Sequence, residues 1–168
     1  YKILYTSKGT DERNLISIAK YEDQELIPIV DQFIASYSFI DSNENYLWFL
    51  TNDMAPNGKV VLLDFNNLEL GFQEVIPEGK NSISSINMIN GSFVINFLNN
   101  TFSDVKYFNT SGSLYGSLKM PAEGTISGLG GKKEDTSSYF SFTNFIQPSQ
   151  IFKLDLKTNS YEKFWEEE

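Results

Sequence analysis

The stretch GTISGLGGKKEDTSSYFSFTNFIQPSQIFKLDL, residues 124–156, decides the fold. It runs from a small-residue segment through a charged turn at Lys132 and Asp135 to the apolar-aromatic segment 139–145, then past Pro148 into the alternating segment 151–156. Short strands separated by turn residues at this spacing predict an antiparallel meander. The same order recurs upstream: 46–52 with Pro56 and 59–65 repeats it, 91–99 with 105–109 repeats it more loosely, and 1–7 with 15–20 begins it.

Aligning the residues that close the second strand of each unit picks out Thr6, Thr51, Leu98 and Thr143, at steps of 45, 47 and 45. A period in this range with about four strands per unit is the signature of propeller blades. The expected class is therefore all-β, a β-propeller fragment of about three and a half four-stranded antiparallel blades within one domain, 1–168. A partial blade 1–30 has strands at 1–7, 15–20 and 25–30 and lacks only a first strand. Blade 33–78 has strands at 33–40, 46–52, 59–65 and 72–78. Blade 82–120 has strands at 82–90, 91–99, 105–109 and 115–120, and blade 125–165 at 125–131, 139–145, 151–156 and 161–165.

Four strings carry a family likeness: SGLGGKKEDTSSYFSFTNFIQPSQIFKLDL at 127–156, FLTNDMAPNGKVVLLDF at 49–65, EVIPE at 74–78 and SKGTD at 7–11. Together, in collinear order along the whole chain, they resemble the propeller domain of prolyl oligopeptidase. The resemblance implies a parent with a seven-bladed propeller capping an α/β-hydrolase domain that cleaves short peptides after proline, of which this chain holds the later blades. It also implies that the loop 7–13 faces the cavity between the two domains, making Lys8, Thr10 and Arg13 the candidate residues of a substrate-chamber wall. Thr10 stands where relatives can carry a cysteine, so a thiol-dependent trait of those relatives is expected to be absent. By themselves the residues read first as a Gly9 turn with charged flanks.

Composition bounds the function. With 168 residues, 40% of them hydrophobic, the chain is long enough for one domain core and too short for seven blades plus a hydrolase domain. It opens on Tyr1 inside an apparent strand, so it is expected to be a piece of something larger. No run approaches 18 apolar residues, which predicts no membrane span. Thirteen basic against 22 acidic residues give a net charge of −9 without a basic patch, arguing against nucleic acid as a partner; Lys132 and Lys133 read as a hairpin tip. The absence of cysteine excludes disulfides and thiolate metal sites and fits a reducing, cytoplasmic setting. The absence of histidine matters most. A Ser-His-Asp triad needs an imidazole base, and the nearest approach to a nucleophile elbow, Gly124-Thr-Ile-Ser127-Gly128, has the wrong spacing. No catalytic residue is expected in this chain.

Other motifs reduce to structure. Asp41-Ser-Asn43-Glu-Asn45 opens like a calcium loop, but Tyr46 replaces the required glycine and Asn52 the closing acid, leaving a hairpin turn. Neither phosphate-loop template fits Gly124, Gly128, Gly130 and Gly131, where the glycines let an inner strand lie close to the channel. Asn90-Gly-Ser92, Asn99-Asn-Thr101 and Asn109-Thr-Ser111 fit the glycosylation pattern and read as turns. Val60-Val61-Leu62-Leu63 predicts a strand covered on both faces, and Trp48, Phe49, Tyr139, Phe140 and Phe142 are expected in the core. Residues 166–168 read as a solvated acidic end leading toward a hydrolase domain. No cofactor and no metal is expected.

The leading reading is thus the propeller part of a serine endopeptidase, gating access of short proline-containing peptides. Its partners are those peptides and the α/β-hydrolase domain of the same parent. The alternative is a non-enzymatic propeller segment that binds protein or glycan. Continuation of the parent into an α/β pattern with a G-x-S-x-G elbow and a later histidine favours the first, and a further run of blades the second. The first and last blades are expected to be apolar on both faces, so the isolated fragment should self-associate.

Overall fold

In the computed structural model, which describes residues 1–22 and 25–166, the regular structure of the described residues is antiparallel strand apart from a 3-10 turn at Leu68–Leu70. A three-stranded sheet of β1 (Lys2–Ser7), β2 (Asn14–Ala19) and β3 (Ile27–Val30) comes first. Three four-stranded meanders follow: β4 (Tyr37–Ser42), β5 (Tyr46–Thr51), β6 (Lys59–Asp64) and β7 (Phe72–Ile76); β8 (Ser82–Ile89), β9 (Ser92–Asn99), β10 (Phe102–Phe108) and β11 (Leu114–Ser117); β12 (Thr125–Gly130), β13 (Ser137–Thr143), β14 (Gln150–Asp155) and β15 (Ser160–Glu166). Within each sheet, spatial order follows chain order. These are the sheets of a propeller fragment.

The chain forms two compact units, Tyr1–Glu78 and Gly79–Glu168, each holding two sheets. In the first, Ile16, Ile18 and Val30 of the three-stranded sheet pack against Ala35, Tyr37, Leu47, Phe49, Val61 and Leu63. In the second, Ile89, Val94, Val105 and Tyr107 pack against Ile126, Phe140, Phe142, Phe152 and Leu154. Burying one face of each sheet against the next is what period-two patterning requires.

Several bounds differ from the sequence reading for local reasons. Residues 32–35 form bends in which the Ile34 amide donates to Gln32 O, so β4 starts at Tyr37 and runs on to Ser42. Strand β10 begins at Phe102 because Asn100 adopts φ 57°, making the preceding hairpin tight. Val60, Val61 and Leu63 are buried, as are Trp48, Phe49, Phe140 and Phe142. Tyr139 is not in the core: it is 45% exposed and meets Phe164 edge-on at 5.2 Å.

The last sheet also departs from the expectation of two apolar faces. Along β13, Ser138, Phe140 and Phe142 are buried while Ser137, Tyr139, Ser141 and Thr143 are not, and Ser127 and Ser141 share a hydroxyl hydrogen bond of 2.7 Å on the outward side. That face is mixed, with Tyr139, Phe164 and Trp165 exposed among hydroxyls and charges. Glu166 likewise is no free tail: its carboxylate accepts from Gln150 Nε2 at 2.8 Å and Lys163 Nζ at 2.7 Å, which holds its pKa below the ordinary value. Glu167 and Glu168 lie outside the described residues.

Candidate functional site

The loop 7–13 joins β1 to β2 and belongs to the hairpin class that, in the full sheets, joins second to third strands. Its backbone turns on Gly9, at φ +60°, with the Asp11 amide donating to Lys8 O at 3.1 Å. Lys8 and Thr10 are exposed at the tip. Arg13 is also exposed, but its side chain folds back on Asp11: Nε donates to Oδ1 at 2.9 Å and Nη2 to Oδ2 at 2.6 Å, while the Arg13 amide donates to Oδ1 at 3.0 Å. These hydrogen bonds hold the Asp11 carboxyl down at about 2. The three candidates thus share one loop, but the guanidinium is shaped by its own loop carboxylate.

Behind the tip the loop is anchored to β4. Asn14 donates through Nδ2 to Tyr37 O at 2.9 Å and accepts the Tyr37 amide on Oδ1 at 3.0 Å, while its own amide donates to Ala35 O at 3.1 Å. Tyr5 adds a bond from the first strand, its hydroxyl accepting the Phe39 amide at 2.8 Å. The β5–β6 hairpin ties into the same end: the Ser36 amide donates to Asn52 Oδ1 at 2.8 Å, and the Tyr37 hydroxyl to Asp53 Oδ2 at 3.2 Å. Burial, then the Asp53 charge, pushes the Tyr37 phenol up to about 12, so it stays a neutral donor at physiological pH. An open cleft lined by Tyr5, Ser7, Asn14, Tyr37, Ser38 and Phe39 lies at this base. Among its lining residues no nucleophile is paired with a base, and the Asn14 amide and the Tyr5 and Tyr37 hydroxyls are engaged in the hydrogen bonds just described.

Sequence reading singled out Lys8, Thr10 and Arg13 of the loop and did not single out Asn14 or Tyr37 behind it. The only signal for Asn14 was a polar residue opening an apolar strand, and its partner lies 23 residues away.

The remaining motifs resolve into turns. Asn43 Oδ1 accepts the Asn45 and Tyr46 amides within its own hairpin, Asn90 and Gly91 take φ 50° and 68°, and Asn109 Oδ1 accepts from the Ser111 and Ser113 amides. The glycine run makes a bulge: Gly128 at φ +93° and Leu129 at φ 56° shift the register between β12 and β13. A Cβ on Gly124 would fall 2.5 Å from Thr143 O. Gly124 and Gly128 thus make their close approach to strand β13 of their own sheet, whereas a Cβ on Gly131 would meet Ile89 and Asp135.

The family model described as prolyl oligopeptidase, N-terminal beta-propeller domain, matches residues 1–167. The chain belongs to this family. It is 28% identical over 165 residues to a prolyl endopeptidase of Elizabethkingia meningoseptica, covering 98% of this chain and 23% of that protein. With prolyl oligopeptidase A of Amanita bisporigera it shares 27% identity over 165 residues, covering 94% and 22%. Prolyl oligopeptidase B from Galerina marginata, solved without ligand, superposes with a TM-score of 0.87 at 22% identity, covering 98% of this chain and 24% of that one. The chain spans about a quarter of the length of the relatives it matches. Within this prolyl oligopeptidase propeller segment, the β5–β6 and β13–β14 hairpins are the second-to-third strand connections of their four-stranded sheets, and the loop 7–13 joins the first two of the three strands of its own.

Proposed function

We propose that this chain is the substrate-gating part of a serine endopeptidase that hydrolyses short peptides on the carboxyl side of proline. The observation that carries the reading is the family match over residues 1–167 in a chain without histidine: the propeller is here, and the imidazole must come from elsewhere in the parent. The partners in this reading are short proline-containing peptides and the hydrolase domain of the same polypeptide, and the setting is cytoplasmic. Lys8, Thr10 and Arg13 line the chamber wall, with the Arg13 guanidinium paired to Asp11. Substituting Lys8→Ala and Thr10→Ala in the full-length parent should raise KM for a Gly-Pro amide without lowering kcat, the mark of groups that bind ground and transition states alike. An unchanged KM would remove them from the wall.

Self-association of the isolated chain belongs to the same proposal. Leu4 and Ile27 on the first sheet and Tyr139, Phe164 and Trp165 on the last are exposed, which supports contacts between copies when the rest of the parent is missing. Sedimentation velocity over a hundredfold concentration range should show the weight-average coefficient rising; a constant monomer value would overturn this part.

A further inference from the structure

The chain has two Asn-Gly pairs, 57–58 and 90–91, and the fold holds their backbones differently. Asn90 and Gly91 make the whole of the β8–β9 turn: Ile89 pairs with Ser92, and the two central residues take φ 50° and 68°. In a turn of this kind the ladder bonds belong to the flanking pair, so the Gly91 amide stays outside them. Among the described residues neither that amide nor the exposed Asn90 side chain makes a hydrogen bond. A Cβ on Gly91 would meet nothing within 4 Å, so the space around its nitrogen is open. The other pair is tied down. In the β5–β6 connection the Gly58 amide donates to Ala55 O at 2.8 Å and the Asn57 amide to Glu78 Oε1 at 2.6 Å. Asn90 also has a cation for a neighbour, since it and Lys157 of the β14–β15 turn line one cleft of about 180 Å³, walled by Tyr115 and Asn159.

We propose that Asn90 is a site of spontaneous deamidation, at which the Gly91 nitrogen closes a succinimide on the Asn90 side chain and the Lys157 ammonium favours the anionic path. The Gly91 nitrogen gives up its proton to solvent base and attacks Asn90 Cγ. The new N–Cγ bond forms as the Cγ–Nδ2 bond breaks, and ammonia leaves with the proton. One water then opens the ring at either carbonyl, giving aspartate or isoaspartate, with nothing oxidised or reduced. Negative charge gathers on the former side-chain oxygen while the ring closes and again on the product carboxylate, and a cation in the same cleft lowers the energy of both. At Asn57 the attacking nitrogen is occupied, because the Gly58 amide must first leave Ala55 O. The chemistry needs only these residues and water, and so is independent of any peptidase activity.

The test is to age the full-length parent in mildly alkaline buffer, folded and in urea, and to follow the tryptic peptides 81–106 and 21–59 by fragmentation mass spectrometry, which places each conversion on its asparagine. In the folded protein Asn90 should convert faster than Asn57 by about fivefold or more, which is what one net hydrogen bond on the Gly58 nitrogen withholds, and in urea the two rates should agree within about twofold. Equal rates in the folded protein, faster loss at Asn57, or an Asn90 that survives while the unfolded chain converts completely would overturn the proposal. Lys157→Gln should slow conversion at Asn90 by roughly two- to threefold, the effect of one exposed charge at short range, and leave Asn57 unchanged. The same rate at Asn90 with and without the lysine would overturn the part assigned to the cleft.

Discussion

Asn14 grips Tyr37 as a neighbouring strand would, accepting its amide at 3.0 Å and donating to its carbonyl at 2.9 Å. A side-chain amide thus extends the ladder of β4 where no strand is available. The second unit repeats the device at the same offsets: the Ser103 amide donates to Gly124 O at 3.0 Å and Ser103 Oγ accepts the Ile126 amide at 3.0 Å. Each joins the start of a third strand, or its equivalent, to the entry of the next sheet. This fixes the second-to-third hairpins on which the candidate loop sits.

Asn14→Ala should therefore free the Tyr37 amide. A part-buried donor left unpaired costs about 1–3 kcal/mol, so hydrogen exchange at that amide in the full-length protein should accelerate by roughly one to two orders of magnitude. Asn14→Ser should fall between, since Ser103 shows that a hydroxyl can hold the acceptor half of the bond. Equal exchange in all three forms would show that the clamp contributes nothing.

Two glycines at either end of β12 separate cleanly. Gly124→Ala puts a methyl 2.5 Å from a backbone oxygen and 2.6 Å from the Phe142 ring, neither a flexible chain end. Gly130→Ala meets nothing within 4 Å. The first should lower the thermal midpoint of the propeller by several degrees, roughly what a loss of 1–3 kcal/mol from overpacking implies, and the second should leave it unchanged. Similar midpoints for both variants would contradict the packing described around Gly124.

Asp11 offers a pH test with a defined sign. Its folded pKa, about 2, lies below the ordinary 3.8, so the Asp11–Arg13 contact supports the loop above that ordinary value and is lost as pH falls through about 2. A carboxyl carbon titration by NMR should give a midpoint near 2, returning toward 3.8 in Arg13→Gln. A normal midpoint in the unsubstituted protein would mean the bidentate pair does not persist in solution.

The meander and its period were legible because each sheet buries alternate residues, and alternation survives in the sequence of β13 and β14. Sheet faces were less legible. The aromatic residues of the segment 139–145 were all read as core, yet Tyr139 points outward and pairs with Phe164, because aromatic residues serve an exposed cross-strand contact as readily as a core. The loop tip was visible through Gly9 and its charges. The Asn14 clamp was not, since it depends on a backbone group whose position only the fold supplies.

The isolated chain should show a β-rich circular dichroism spectrum and no hydrolysis of a chromogenic Gly-Pro amide, having no imidazole to serve as base. Activity that co-purifies with it and resists serine-directed reagents would contradict the assignment of chemistry to another domain.

The central claim is tested most directly by assaying the full-length parent on matched peptides, one short with an internal proline, one with that proline replaced by alanine, and one long with the same proline site. The account predicts cleavage after proline in the short peptide alone, abolished by an active-site serine reagent. Equal cleavage of the alanine peptide or of the long one, or no cleavage of any, would contradict a propeller that gates a proline-directed serine peptidase.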